Sequence, residues 1–433
     1  MDRSTQVLLR LLAADRDDSL PQSLAPLRPI DWQAVVELAD RHGVSPLLHR
    51  NLKALADPVD IPPAERDRLR ARYVATAGDN LLRLEQFSEV VLALDAVGVP
   101  VIALKGIDLA ERVYRNIAAR PMTDIDILIA DDHMHQAVST LLERGYRCLH
   151  PGDERVLAAS PDGRYRVEPG HKHFLDLVAP DGAGRLDLHS SLVAARSPFR
   201  IDVSKIWKEA CNATIHGAEV RVLSPEHQLL YCGLHAGSHL FEQGLRAIAD
   251  TAEIIEHHGQ SLDWTEVVET ARRWRAERGV YLTLRLTQEL LASQVPDEAL
   301  VSLQPAGIPD SVLSQAKRCV FLHETEAIQL VMANHLASSS APYRLWQTQR
   351  WGDKVAVLLK GLFPSPATMA RQYPPAAGSW RIYAWYPVRI KDVVSRHGAT
   401  VWRLLRGDAD ALETGEQVAR CEAFKMWLSG SEP

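Results

Sequence analysis

An α+β fold is predicted for this 433-residue chain, with a small mixed β-sheet flanked by helices, a helical segment before it and a helical half after it. Three observations predict it. Apolar residues recur at helical spacing over residues 1–92 and again after residue 224. Between them, residues 93–195 carry short apolar or alternating runs bounded by Gly, Pro and Asp, the mark of strands and turns. The last stretch, 341–433, holds six of the ten tryptophans, many arginines and a Pro/Tyr-rich segment. Four domains are expected on this basis: an N-terminal helical segment 1–92, an α/β core 93–195, a helical domain 196–340 covering the face that carries the chemistry, and a Trp/Arg-rich C-terminal region 341–433.

Each element follows from local pattern. Asp31 is placed to cap a helix in which Trp32, Val35, Val36 and Ala39 share one face. A long helix runs from about Pro63 to Ala96 and stops at Gly98. Val99–Lys105 reads as a buried strand that turns at Gly106 into a helical pattern, Ile107 to Tyr114. Residues 122–130, MTDIDILIA, alternate acidic and apolar side chains, which gives a strand with two faces. An amphipathic helix closes at Gly145, and residues 173–189 read as a hairpin around the Pro-Asp-Gly at 180–182. Ser224-Pro225-Glu226 resembles a helix start.

Composition narrows the function. Forty-nine Lys and Arg against 55 Asp and Glu give a net charge of −6, which argues against a protein that coats nucleic acid but allows a local basic pocket. No run approaches the roughly 18 apolar residues of a spanning helix, and the opening residues lack an apolar leader core. A cytoplasmic location and no membrane partner are expected. The five cysteines are odd in number and form no CxxC pair, so reduced thiols are expected rather than a disulfide framework or zinc site.

The sharpest local signal is Asp124-Ile125-Asp126. Residues i and i+2 of a strand share a face, so the two carboxylates project together while Ile125 and Ile127 enter the core. Two such carboxylates repel unless a cation lies between them, and hard oxygen donors suit Mg²⁺. Lys105-Gly106 lies at a strand-to-helix turn, where a lysine and free backbone N–H groups suit a polyphosphate. Arg120 either reaches phosphate or pairs with an acid. Asp187, 61 residues beyond Asp126 in Arg185-Leu-Asp-Leu-His189, is a third carboxylate on a two-faced strand, and His189 shares its face. Three carboxylates on adjacent strands form the platform that metal-assisted phosphoryl transfer requires.

These residues resemble a known family. Leu104-Lys-Gly106, Tyr114, Arg120-Pro121, Asp124-Ile-Asp126 and Asp187-Leu-His189 are similar to the uncharacterised bacterial nucleotidyltransferases of the DNA polymerase β-type superfamily. The resemblance spans residues 30–390 and includes Ser224-Pro-Glu226, His235, Arg246, Asp250 and Leu262-Asp-Trp264. It implies a small mixed sheet with Asp124 and Asp126 as metal ligands and Asp187 as the third carboxylate, also on the metal. It departs from the wider superfamily in having Ile107 where a serine follows the glycine, and in the 18 residues from Gly106 to Asp124.

The function expected is therefore transfer of a nucleoside monophosphate from an NTP, ATP being favoured, to an acceptor with release of pyrophosphate. Mg²⁺ or Mn²⁺ is the expected cofactor, Asp124, Asp126 and Asp187 are the catalytic residues, and Lys105, Gly106 and Arg120 bind the nucleotide. The acceptor is a small molecule, a peptide or protein, or tRNA, with nucleic acid disfavoured by the net charge. Its pocket draws on His189, His235, Arg246 and Asp250, although Arg246 and Asp250, four residues apart, most simply form a helix salt bridge. A catalytically silent nucleotide-binding module or a helical scaffold is the alternative. His171 and His173 are further candidates for the site, His235 and His239 lie at metal-compatible helix spacing, and the C-terminal tryptophans are read as half-buried anchors.

Overall fold

In the computed structural model of the chain, residues 1–13, 28–55, 59–149, 174–193, 197–308, 310–321, 352, 359, 362–370, 373 and 379–430 are described. Contacts divide the chain into two compact units, residues 1–321 with 428–430 and residues 322–427 with 431–433.

The first unit begins with four helices, α1 (Arg3–Leu12), α2 (Pro29–Arg41), α3 (Ser45–Lys53) and α4 (Pro63–Asp95). Asp2 caps α1 through the Thr5 N–H, and Pro occupies the first turn of the next three, where its missing N–H costs nothing. Asp31 accepts the Arg28 N–H in a capping box instead of serving as the cap itself. The sheet follows: β1 (Ile102–Ala103), β2 (Ile125–Leu128), helix α5 (Asp131–Glu143), β3 (Arg147–Cys148), β4 (Phe174–Val178) and β5 (Arg185–His189). After α6 (Val203–Glu209) the hairpin β6 (Cys211–Ile215) and β7 (Ala218–Val222) extends the sheet into the span read as helical. Its turn is made by His216 and Gly217, both at positive φ (45° and 76°), the geometry of a two-residue hairpin.

The seven strands run in the order β3-β4-β5-β2-β1-β7-β6. β2 lies parallel to β5 and antiparallel to β1, and β1 is parallel to β7, so the sheet is mixed as expected. The predicted 173–189 hairpin is β4–β5, paired antiparallel. β1 is far shorter than the run 99–105 because Pro100 cannot donate to a ladder and Lys105 enters a left-handed conformation (φ 31°). β2 likewise starts at Ile125, leaving Asp124 one residue ahead of the ladder.

One sheet face is apolar: Ile125, Ile127, Leu175, Leu177, Leu186 and Leu188 pack on Phe87 and Val91 of α4 and on Met134, Val138 and Leu141 of α5. The odd–even alternation therefore turns Asp126, Asp176 and Asp187 to the opposite face. The unit continues with α7 (Pro225–Ser238), α8 (Leu245–His258), α9 (Trp264–Trp274), α10 (Glu277–Leu291), α11 (Asp297–Leu303) and α12 (Asp310–Val320). Ser224 caps α7 through the His227 N–H. A Cβ on Gly237 would lie 3.2 Å from the Gly279 backbone, so α7 and α10 cross at a glycine contact.

The second unit contains α13 (Pro366–Ala370), a 3₁₀ turn (Trp380–Trp385), α14 (Tyr386–Leu405) and all but the last residue of α15 (Ala409–Leu428). Trp385 and Trp427 are half-buried, as expected, whereas Trp380 and Trp402 are 78% and 56% exposed. Trp346, Trp351, His171 and His173 lie outside the described residues. No described helix is long and apolar enough to cross a membrane.

Candidate active site

The parallel register of β2 and β5 sets Asp126 directly beside Asp187, and the antiparallel register of β4 and β5 sets Asp176 on the other side of Asp187. Three aspartates thus line up across three neighbouring strands. His189, two residues beyond Asp187 on the same face, donates from Nε2 to Asp126 Oδ1 at 2.7 Å. One donor atom each from Asp126, Asp187 and His189 falls within 4.8 Å of the others, a group able to hold a metal ion. Asp124, expected to ligate in parallel with Asp126, is half-buried beside this group, and His189 completes the compact set in its place. Because Asp124 precedes the ladder, pleating does not fix its side chain, which accepts the Thr123 hydroxyl at 3.1 Å.

The charges on this face are unequal. Burial opposes ionisation of Asp126, but Lys105 and the His189 hydrogen bond outweigh it and hold its pKa well below the usual carboxylate range. Asp187 has no such support. Burial first, then Asp126, Asp176 and Asp124, push its pKa up to about 8, with Asp176 also hydrogen-bonded to it. The repulsion expected between Asp124 and Asp126 therefore falls on Asp187, because Lys105 already compensates Asp126.

Lys105 starts a short turn, Lys105–Asp108, that continues as a wider π turn, Leu109–Val113. Its Nζ lies 3.7 Å from Asp126 Oδ1 and 5.0 Å from the centre of the Tyr231 ring. Burial disfavours its charge, yet Tyr231 and Asp126 raise its pKa above the ordinary lysine value. The turn is held by Asp108, which is buried, accepts from Arg112 Nη1 at 2.8 Å and from Gln228, and is pushed by burial up to about 6. Gln228, Tyr231 and His235 stand three and four residues apart on α7, so one helix face anchors the turn and walls the site. His235 is held well below its ordinary pKa by burial, Lys105 and His239, and its Nε2 meets the Gln243 side chain at 2.6 Å.

Gly106 is buried, and a Cβ there would meet Met122 Sδ at 3.1 Å and Arg120 Nη1 at 3.3 Å. Its small size admits the 115–124 loop, so the space beside it is filled by protein. Arg120, of the two roles open to it, pairs with an acid: Nε and Nη2 grip both oxygens of Asp250 at 2.8 Å. Tyr114 donates its hydroxyl to the same carboxylate at 2.8 Å. This corrects the expected Arg246–Asp250 helix bridge. The planar fork of Arg120 matches a carboxylate bidentately, and Asp250 turns inward to meet it. Arg50 lies over the Tyr114 ring at 5.6 Å and pairs with Glu253. Arg246 makes no hydrogen bond or ion pair among the described residues, and burial and Arg120 lower its pKa despite Asp250 and Asp124.

Asp126, Asp187, His189, Lys105 and His235 are thus brought together, while Arg120 and Asp250 form a separate, closed pair. Sequence reasoning missed Asp176 and Tyr231. Asp176 stands in FLDLV, whose alternation mirrors RLDLH, and that repeat was the available signal. Tyr231 has none beyond its helical spacing from His235.

Residues 28–292 match the model of a family described as uncharacterised nucleotidyltransferase. No curated protein and no solved structure matches the chain.

Proposed function

The chain belongs to this uncharacterised nucleotidyltransferase family, and on that premise we propose that it is a metal-dependent enzyme of the DNA polymerase β type. It transfers a nucleoside monophosphate from an NTP, ATP by preference, to an acceptor and releases pyrophosphate. The observation that carries the reading is the register pair Asp126–Asp187 with His189 beside Lys105. Two carboxylate oxygens and one imidazole nitrogen fit a divalent cation, and a surplus of acid that leaves Asp187 at about 8 is the state such a cation relieves. Asp126 and Asp187 would hold Mg²⁺ or Mn²⁺, with Asp124 joining from the residue before β2 and His189 able to join only through a deprotonated Nε2, in place of its hydrogen bond to Asp126. Bound there, the ion supplies charge neutralisation to the polyphosphate.

The chain's own groups do the rest. Lys105, freed from Asp126, and Arg246, which makes no ion pair among the described residues, bind the phosphates. The acceptor nucleophile attacks the α-phosphorus in line, the bond to the β-phosphate oxygen breaks, and pyrophosphate leaves. Asp187 orients the acceptor and takes its proton. Tyr231 and His235 on α7 form the opposite wall. Arg120 and Asp250 fix the 115–124 loop and through it the start of β2. The test is to incubate the full chain with each α-labelled NTP and Mg²⁺ or Mn²⁺ and to follow pyrophosphate. Release by the wild type and none by Asp126→Asn is expected. Calorimetry showing no NTP binding with either metal sinks the nucleotide reading.

A further inference from the structure

The charge of the chain is segregated. Residues 341–406 carry eleven Lys and Arg against two Asp and Glu, a local charge of +9 in a chain whose total is −6. The same stretch, in the second unit, displays apolar side chains to solvent. Trp380 is 78% exposed, Tyr383 62%, Val394 60% and Trp402 56%. On α14, Val388, Lys391, Val394, Trp402 and Arg406 recur at intervals that put them on one side of the helix, and each is exposed. The Arg406 guanidinium lies 4.6 Å from the centre of the Trp402 ring, so cation and indole occupy one spot on that face.

We propose that this face of α14, with the adjoining Trp380–Trp385 turn, docks the protein reversibly on an anionic lipid surface. A helix whose exposed side mixes aliphatic residues and tryptophan with lysine and arginine is matched to the headgroup boundary, where rings and aliphatic side chains reach acyl chains and cations meet lipid phosphate. Single-stranded nucleic acid is the other anionic occupant, and two observations weigh against it. Val388 and Val394 have nothing to pair with on a base. The rings of Phe363, Tyr386 and Tyr383 stack on one another, at 22° and 17° between planes, which uses up faces that bases would need. Docking of this kind needs no spanning helix, so the absence of one among the described residues is compatible with it.

Flotation of the full chain with phosphatidylcholine vesicles, with and without phosphatidylglycerol, tests this. Binding only to the anionic vesicles, weakened by salt, is expected, because each basic residue near such a surface is worth about fivefold in affinity. Lys391→Glu with Arg406→Glu should weaken it at least about tenfold, and Val394→Ser with Trp402→Ser should weaken it at unchanged salt dependence. All four side chains are exposed, so the melting temperature should hold, and the wild-type salt titration stands independently of any variant. No binding to anionic vesicles overturns the proposal. So does poly(U) binding that the same substitutions abolish without vesicle binding, or a dimer that they dissociate.

Discussion

Two charge clusters lie side by side in the first unit and are built on opposite plans. Around Asp250, each charge meets its complement: Arg120 in a bidentate pair, the Tyr114 hydroxyl, and Arg50 with Glu253 at the far end. Around Asp187, four aspartates (124, 126, 176 and 187) meet, among the described residues, the charges of Lys105 and Arg246, the His189 hydrogen bond and the Thr123 hydroxyl. A closed cluster holds elements together. An open one stores a deficit of positive charge that a ligand can fill, and the raised pKa of Asp187 beside the lowered pKa of Asp126 shows where the deficit sits.

The largest expected effect breaks the closed cluster. Asp250→Ala leaves the Arg120 guanidinium buried without its acid, so it should cost about 3–5 kcal/mol in a denaturant titration. If Asp250 instead served the acceptor, stability would hold while turnover fell. The next effect falls on the open cluster. Asp126→Asn should lower nucleotidyl transfer more than about 10²-fold, measured as pyrophosphate release under saturating metal. It should not stabilise the fold, because the lost charge is the one that Lys105 and His189 compensate. A stabilised variant would mean that the repulsion lies on Asp126 after all.

The same contrast explains what was legible in the sequence. Alternation in DIDIL and RLDLH fixes which side chains share a face, so the Asp126–Asp187 platform and the β4–β5 hairpin were readable before any coordinates. Partners across the fold were not. Arg120 and Asp250 stand 130 residues apart, and nothing local distinguishes that pair from the i, i+4 alternative with Arg246. His189 in the donor set, with Asp124 beside it, follows from where the β2 ladder begins, a boundary that single-residue pattern does not resolve. The hairpin β6–β7 was missed although β7 alternates as Ala-Glu-Val-Arg-Val, because its partner β6, Cys-Asn-Ala-Thr-Ile, carries only one large apolar side chain.

Asp176 sharpens the comparison from within the open cluster. Its side chain is hydrogen-bonded to Asp187 and adds to the acid surplus there. Asp176→Asn keeps a hydrogen-bonding group and removes the charge, so it should weaken metal affinity about tenfold while the rate at saturating metal is kept. Equal losses in both would show that Asp176 touches the reacting groups, and no loss in either would show that the aspartate next to Asp187 is only packing.

A pH titration reads the deficit directly. In the metal-free protein Asp187 titrates near 8, against 3.8 for an ordinary aspartate, so between those pH values the folded chain holds a proton that the unfolded chain has released. Stability therefore falls as pH rises from about 4 and levels off above about 8. Asp187→Asn removes that loss. Its melting temperature should match the wild type near pH 4 and exceed it progressively up to about pH 8, with a constant difference above that. Mg²⁺ should invert the order, stabilising the wild type and not the variant, with a proton released on binding at neutral pH. A difference between the two proteins that stays constant with pH would show that Asp187 is already compensated, and the two clusters would then be alike.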